Sequence, residues 1–166
     1  TITVKALSTG SPIENARVLV TASDNTGPMP FDETVTITRS GTVATVVHTA
    51  HGLVDGKKVK IKGANEQPYN GIKTLTFIDA NSYSYTVAGS PATPATGTIK
   101  ATGVVIDGLT NASGVISDTR THASDQPIVG TARKSSGAPN YKPGAVAGTI
   151  DSATGFSTTV QLVGDD

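Results

Sequence analysis

Thr34-Val35-Thr36-Ile37-Thr38 and, further along, Lys58-Val59-Lys60-Ile61-Lys62 set polar and apolar side chains in strict turn. Successive side chains of a β-strand point to opposite faces, so each pentapeptide has one face to bury and one to wet. The same period continues through Thr74-Leu75-Thr76-Phe77 and Tyr83-Ser84-Tyr85-Thr86-Val87. Turn signals punctuate these runs at Thr9-Gly10-Ser11-Pro12, Ser40-Gly41, Asp55-Gly56, Asn70-Gly71, Asp107-Gly108 and Ser113-Gly114. Glycine supplies positive φ at no steric cost, and a preceding Asn or Asp suits a tight hairpin. No longer window carries a 3.6-residue period, and Thr, Val and Gly are poor in helix interiors. The pattern predicts an all-β protein of about a dozen short strands in antiparallel sheets, with little or no helix.

Composition narrows the function. With 166 residues the chain has room for one domain or two small ones. Eighteen glycines and nine prolines make a turn-rich chain but not a low-complexity one. Thirteen basic and thirteen acidic residues cancel. That balance removes the electrostatic signature of a nucleic-acid binder or of a protein held on anionic lipid, so neither partner is expected. Without cysteine there is no disulfide framework and no thiolate chemistry. The longest apolar runs, such as Ala16 to Val20 with Arg17 inside it, fall far short of the roughly 20 residues of a membrane span. Thr1-Ile2-Thr3-Val4-Lys5 reads as a first strand rather than a leader peptide.

Two stretches, Asp24 to Asp32 and Gly89 to Gly97, hold four of the nine prolines. Proline cannot donate to a sheet ladder, so both read as exposed connections or edges. They bracket residues 33–101 as a separate small β-module, of barrel or sandwich type, and leave residues 1–32 and 102–166 as one discontinuous domain.

The outer parts carry Ile2-Thr3-Val4-Lys5-Ala6, then Gly10-Ser11-Pro12-Ile13-Glu14-Asn15-Ala16-Arg17-Val18-Leu19-Val20, then Gly108-Leu109-Thr110-Asn111-Ala112-Ser113-Gly114-Val115-Ile116. This succession resembles the carboxypeptidase-regulatory-like or transthyretin-like β-sandwich family: a first strand, a Gly-x-Pro turn, an Ala-x-Val strand, and a Thr-Asn-x-x-Gly turn. It departs from that family in the long separation between the second strand and the last turn. The intervening His51 to Ala64, Tyr69-Asn70-Gly71, Asp79 to Tyr85 and Gly89 to Ala92 resemble a small β-module that recurs in virion proteins of tailed bacteriophages. Together the resemblances imply an Ig-like or transthyretin-like antiparallel sandwich with a guest β-module in one loop. They also imply a structural protein of the virion, assembled in the bacterial host cytoplasm. A head decoration protein is the leading expectation, with the major capsid protein or another virion protein as partner and self-association as a further option. The alternative is a carbohydrate- or receptor-binding module of a phage tail or neck component, or of a secreted bacterial protein.

Motifs for chemistry are sparse. His48 and His51 stand three apart, a spacing that aligns two metal ligands in a helix, whereas here they leave a strand for a turn. Asp24-Asn25-Thr26-Gly27 has the form of an aspartic-protease loop without a second copy to share the proton, and reads as ordinary turn chemistry. Asn111-Ala112-Ser113 fits a glycosylation acceptor and equally a turn. Lys58, Lys60 and Lys62 share one strand face, which reads as solvated or edge-protecting rather than polyanion-binding. Tyr69, Tyr83 and Tyr85 could stack on sugars but are expected in the core of the module. Asp165-Asp166 reads as a solvated tail. No phosphate loop, dinucleotide fingerprint, calcium loop or nucleophile elbow is present, so neither a cofactor nor an enzymatic activity is expected. The longest aperiodic stretch is Arg133 to Pro143, read as a binding loop, with Arg133, Lys134, Asn140, Tyr141 and Lys142 as the expected protein contacts.

Overall fold

A computed structural model describes residues 1–165 and is all-β. The strands are β1 (Ile2–Ala6), β2 (Arg17–Ala22), β3 (Glu33–Thr34), β4 (Thr36–Ser40), β5 (Val43–Val47), β6 (Lys58–Ala64) and β7 (Gly71–Thr74). After them come β8 (Thr76–Asp79), β9 (Ser82–Thr86), β10 (Gly97–Leu109), β11 (Val115–Ile116), β12 (Gln126–Lys134), β13 (Tyr141–Ile150) and β14 (Thr158–Leu162). A single 3-10 turn, Gln67–Tyr69, is the helical content of the described residues.

The chain forms two compact units, Thr1–Thr26 with Val105–Asp166, and Gly27–Val104. These boundaries differ from the 32/33 and 101/102 read off the proline-rich stretches, and the first of those stretches explains why. Met29 and Pro30 are buried in the second unit instead of lying in an exposed connection. Gly103 donates its N–H to the Pro30 carbonyl, and the Met29 side chain lies against Gly103.

The first unit packs two sheets. One has the order β11-β1-β14; the other runs β13-β12-β2-β10, with residues 105–109 of β10 in this unit. Alternation places Ile2, Val4 and Ala6 of β1 and Val18, Val20 and Ala22 of β2 inside, while Thr3, Lys5, Leu19 and Thr21 are half-buried on the other faces. The β1–β11, β12–β13 and β12–β2 pairs are antiparallel. β1 and β14 run parallel in register, Ile2 opposite Thr158 through Ala6 opposite Leu162, where the sequence predicts antiparallel neighbours. Parallel neighbours need a long crossover rather than a hairpin, and here the crossover is everything between them.

A second departure is strand length. β12 and β13 form a hairpin paired from Gln126 opposite Ile150 to Lys134 opposite Tyr141, with one bulge near Ala132. Arg133, Lys134, Tyr141, Lys142 and Pro143 therefore belong to strands, and only residues 135–140 form the loop. The reason is visible in the packing of β13. A Cβ at Gly144 would press on Val160 and Leu162, and one at Gly148 on the Phe156 ring, so the two positions that flank the buried Val146 on this face must be bare.

The second unit carries one sheet in which β10 lies between β3 and β6 and β6 pairs with β7, and another of order β4-β5-β9-β8. β3 and β4 are interrupted only at Val35, and β7 and β8 only at Leu75. Both residues are buried, at 4% and 1% exposure, and mark the corners where the chain passes from one sheet to the other. Ile37, Val46, Val59, Ile61, Tyr69, Tyr83 and Tyr85 fill the space between the sheets. β6 lies between β10 and β7, so its lysine face does not protect an edge.

Candidate functional site

The β12–β13 hairpin tip gathers the five expected contact residues. Arg133 and Asn140 are exposed, Lys134 and Tyr141 half-buried, and the Lys142 side chain is 62% exposed. The tip is held from below. Lys142 donates its N–H to the Val163 carbonyl, Asp165 donates to the Asn140 carbonyl, and Tyr141 bridges to Gly164. Asp165, expected in a solvated tail, is therefore part of this clamp; Asp166 lies outside the described residues. Three cations stand within the strand ends, and the carboxylate recorded beside them is Asp165, 3.9 Å from the Lys142 ammonium. Arg17 of β2 stands opposite Arg133 across the ladder and is paired with Asp107. The arrangement is a basic patch on a braced hairpin, suited to contact with an acidic surface.

The second cluster lies in the Gly27–Val104 unit. His48 and His51 are buried, their ring centroids 5.8 Å apart. His51 accepts a hydrogen bond from Leu53 N–H at Nδ1, 3.0 Å away. That assigns the proton to Nε2, which donates to the Asp79 carbonyl at 2.9 Å. His48 Nε2 is 2.9 Å from the Glu33 carboxylate, and its Nδ1 is 3.4 Å from the Tyr83 hydroxyl. Burial lowers the His48 pKa, with Glu33 pulling the other way and His51 adding to the fall. Four ring nitrogens are thus committed to partners inside the unit. Among the described residues no group of three or more His, Asp or Glu side chains is placed to hold a metal ion.

The remaining sequence candidates resolve into structural roles. Asp24 accepts from the Thr26 N–H and hydroxyl at 2.9 and 2.6 Å, an Asx turn whose hydrogen bonds hold the carboxyl below its ordinary pKa. Asn111 Oδ1 accepts from Ser113 and Val115, each at 3.0 Å, so this side chain builds the turn. Tyr69, Tyr83 and Tyr85 are buried, and desolvation raises the Tyr83 and Tyr85 pKa values. The hydroxyl of Tyr69 donates to Ala92 O and that of Tyr85 to Tyr69 O, so these rings offer no stacking platform. Lys62 pairs with Asp32 at 2.6 Å, which leaves the lysine face partly neutralised.

The Glu33–His48 contact was invisible in sequence because β3 is only two residues long, and nothing but tertiary pairing brings it beside β10. The clamp on the hairpin tip was equally hidden, since it is made by backbone groups of residues 163–165. No family model, no curated protein and no solved structure matches this chain.

Proposed function

We propose that this chain is a non-enzymatic structural protein of a bacteriophage virion, a head decoration protein that docks on the capsid shell through the β12–β13 hairpin tip. The observation that carries the reading is that tip: Arg133, Lys134 and Lys142 stand on a hairpin braced by residues 163–165, with the exposed Asp165, 3.9 Å from Lys142, as the carboxylate beside them. A preorganised strand-borne contact loses little entropy on docking, and repetition over a symmetric shell multiplies a modest affinity. The resemblance of residues 51–92 to a virion β-module supports the same class. So do His48 and His51, which spend their ring nitrogens on internal hydrogen bonds, and the absence of net charge.

The test is co-sedimentation of the purified protein with empty expanded capsids of the phage that encodes it. The expected result is saturable binding that weakens as salt is raised. The double substitution Arg133→Glu, Lys142→Glu is expected to abolish it and to move the melting temperature little, because substitutions at exposed positions each change stability by about 0.5 kcal/mol or less. Binding to tails and not to heads would reject the decoration role, and binding to neither would reject the virion reading.

A further inference from the structure

In the second unit β6 carries Lys58, Lys60 and Lys62 at alternate positions, and the register sets Lys100 of β10 directly opposite Lys62. All four side chains issue from the outer face, since the intervening Val59, Ile61 and Ala101 are buried. Like charges placed directly opposite one another destabilise a sheet. At a sheet edge such lysines would guard against foreign pairing, but these strands are interior. β6 lies between β10 and β7, and Lys100 has Thr34 of β3 on its other side. The charges are met only in part from within the unit. Lys62 is paired with Asp32 at 2.6 Å, whereas the Lys100 ammonium rests on the Thr34 hydroxyl at 2.7 Å, an uncharged acceptor. Lys60 is exposed and forms no ion pair among the described residues. In a chain whose acidic and basic residues cancel, this face keeps a local excess of positive charge at the cost of mutual repulsion.

We propose that the outer face of β6 and β10 binds a linear polyol phosphate, a chain of phosphodiesters joined through three-carbon spacers and bearing no bases, with successive phosphates on Lys60 and Lys100. Spacing supports the class. Lys60 and Lys100 are diagonal neighbours across the ladder, and such residues stand about 7–8 Å apart, a gap that three carbons and their ester oxygens span when extended. Lys58 continues the row one step further along β6. The kind of cation supports it too. Ammoniums are compact point charges suited to phosphate, whereas planar carboxylates are read best by arginine forks, and this face has no arginine. Bases would call for an aromatic surface to stack on, and the neighbours on this face are Thr34, Ile72, Thr74 and Thr102. The site lies within Gly27–Val104 and shares no residue with the hairpin tip, so it stands whether or not the tip docks on a capsid.

The probe is a synthetic glycerol phosphate hexamer, titrated into the full chain by calorimetry at low salt. We expect saturable binding that weakens with salt along a slope of about 1.4 on logarithmic axes, the value for two phosphates of a flexible single chain. An oligothymidylate with the same number of phosphates is expected to bind more weakly. Lys60→Gln combined with Lys100→Gln is expected to lower the affinity at least tenfold and to flatten the salt slope. Because that variant relieves the opposition of Lys100 and Lys62, its melting temperature should stay level or rise. Lys60→Gln alone, at an exposed position, should lose part of the affinity and keeps the test open should the double variant fail to fold. The tip variant Arg133→Glu, Lys142→Glu should bind the hexamer as the parent does, which separates this site from the capsid contact. Absence of saturable binding, equal or tighter binding of the oligothymidylate, or undiminished binding to the lysine variants would overturn the assignment.

Discussion

The two imidazoles held below their ordinary pKa, His48 in one unit and His122 in the other, make the stability of the protein sensitive to mild acid. A lowered folded-state pKa means that the unfolded chain binds the proton first, so stability rises with pH through this range. It is fully present above about pH 6.5, the unfolded value, and drains as the pH falls from there toward the folded values. Asp24, Glu66, Asp79 and Asp151 are also shifted down, by hydrogen bonds, and their contributions disappear only below about pH 4. Melting temperatures should therefore fall between pH 7.5 and pH 5. His48→Gln and His122→Gln should each flatten part of that fall, and a flat profile in the parent protein would contradict the burial argument. A second residue-level contrast concerns Gly10 and Gly114, both at φ +70°. A Cβ at Gly10 meets open space, whereas one at Gly114 would collide with the Val4 carbonyl. Gly10→Ala should cost about 1 kcal/mol for the left-handed backbone, and Gly114→Ala about 2–3 kcal/mol more for the displaced strand, measured by urea denaturation.

At the level of elements, legibility followed the two-faced character of each strand. β1, β2, β4, β5, β6 and β9 each put one face in the core, so Val, Ile and Tyr recur at every second position and the period shows. β13 has the sequence Tyr-Lys-Pro-Gly-Ala-Val-Ala-Gly-Thr-Ile, whose inward positions include Gly144 and Gly148 beneath Leu162 and Phe156. Val146 is its one buried apolar side chain, and the glycines on either side of it are covered by side chains of other elements, which is why the stretch reads as a loop. The five residues expected to make contacts lie in one neighbourhood, because the strand ends and the loop meet at the tip. Gly148→Val should destabilise by about 2 kcal/mol through collision with the Phe156 ring, whereas Ala147→Val, exposed on the same strand, should be neutral within about 0.5 kcal/mol. Equal effects in thermal melts would mean that β13 does not press on that ring.

At the level of the whole molecule, the sequence disclosed the all-β class, and the two compact units divide at Thr26 and Val105, away from the positions the prolines suggest. Proline-rich composition marks a bend equally well whether it is solvated or, as at Met29-Pro30, packed. The division at Thr26 and Val105 predicts that excising Gly27–Val104 and bridging the gap with a short Gly-Ser linker leaves a cooperatively folding first unit, since residues 105–109 of β10 stay with it. Loss of the cooperative transition in calorimetry would show that the first unit depends on the second. The parallel pairing of β1 with β14 has a further consequence for biosynthesis. Residues 158–162 are synthesised 156 positions after residues 2–6, so β1 must wait for all the intervening chain to be made before its partner exists. Until then one side of that strand stays bare, a window in which a chaperone or a neighbouring nascent chain can lay a foreign strand alongside it.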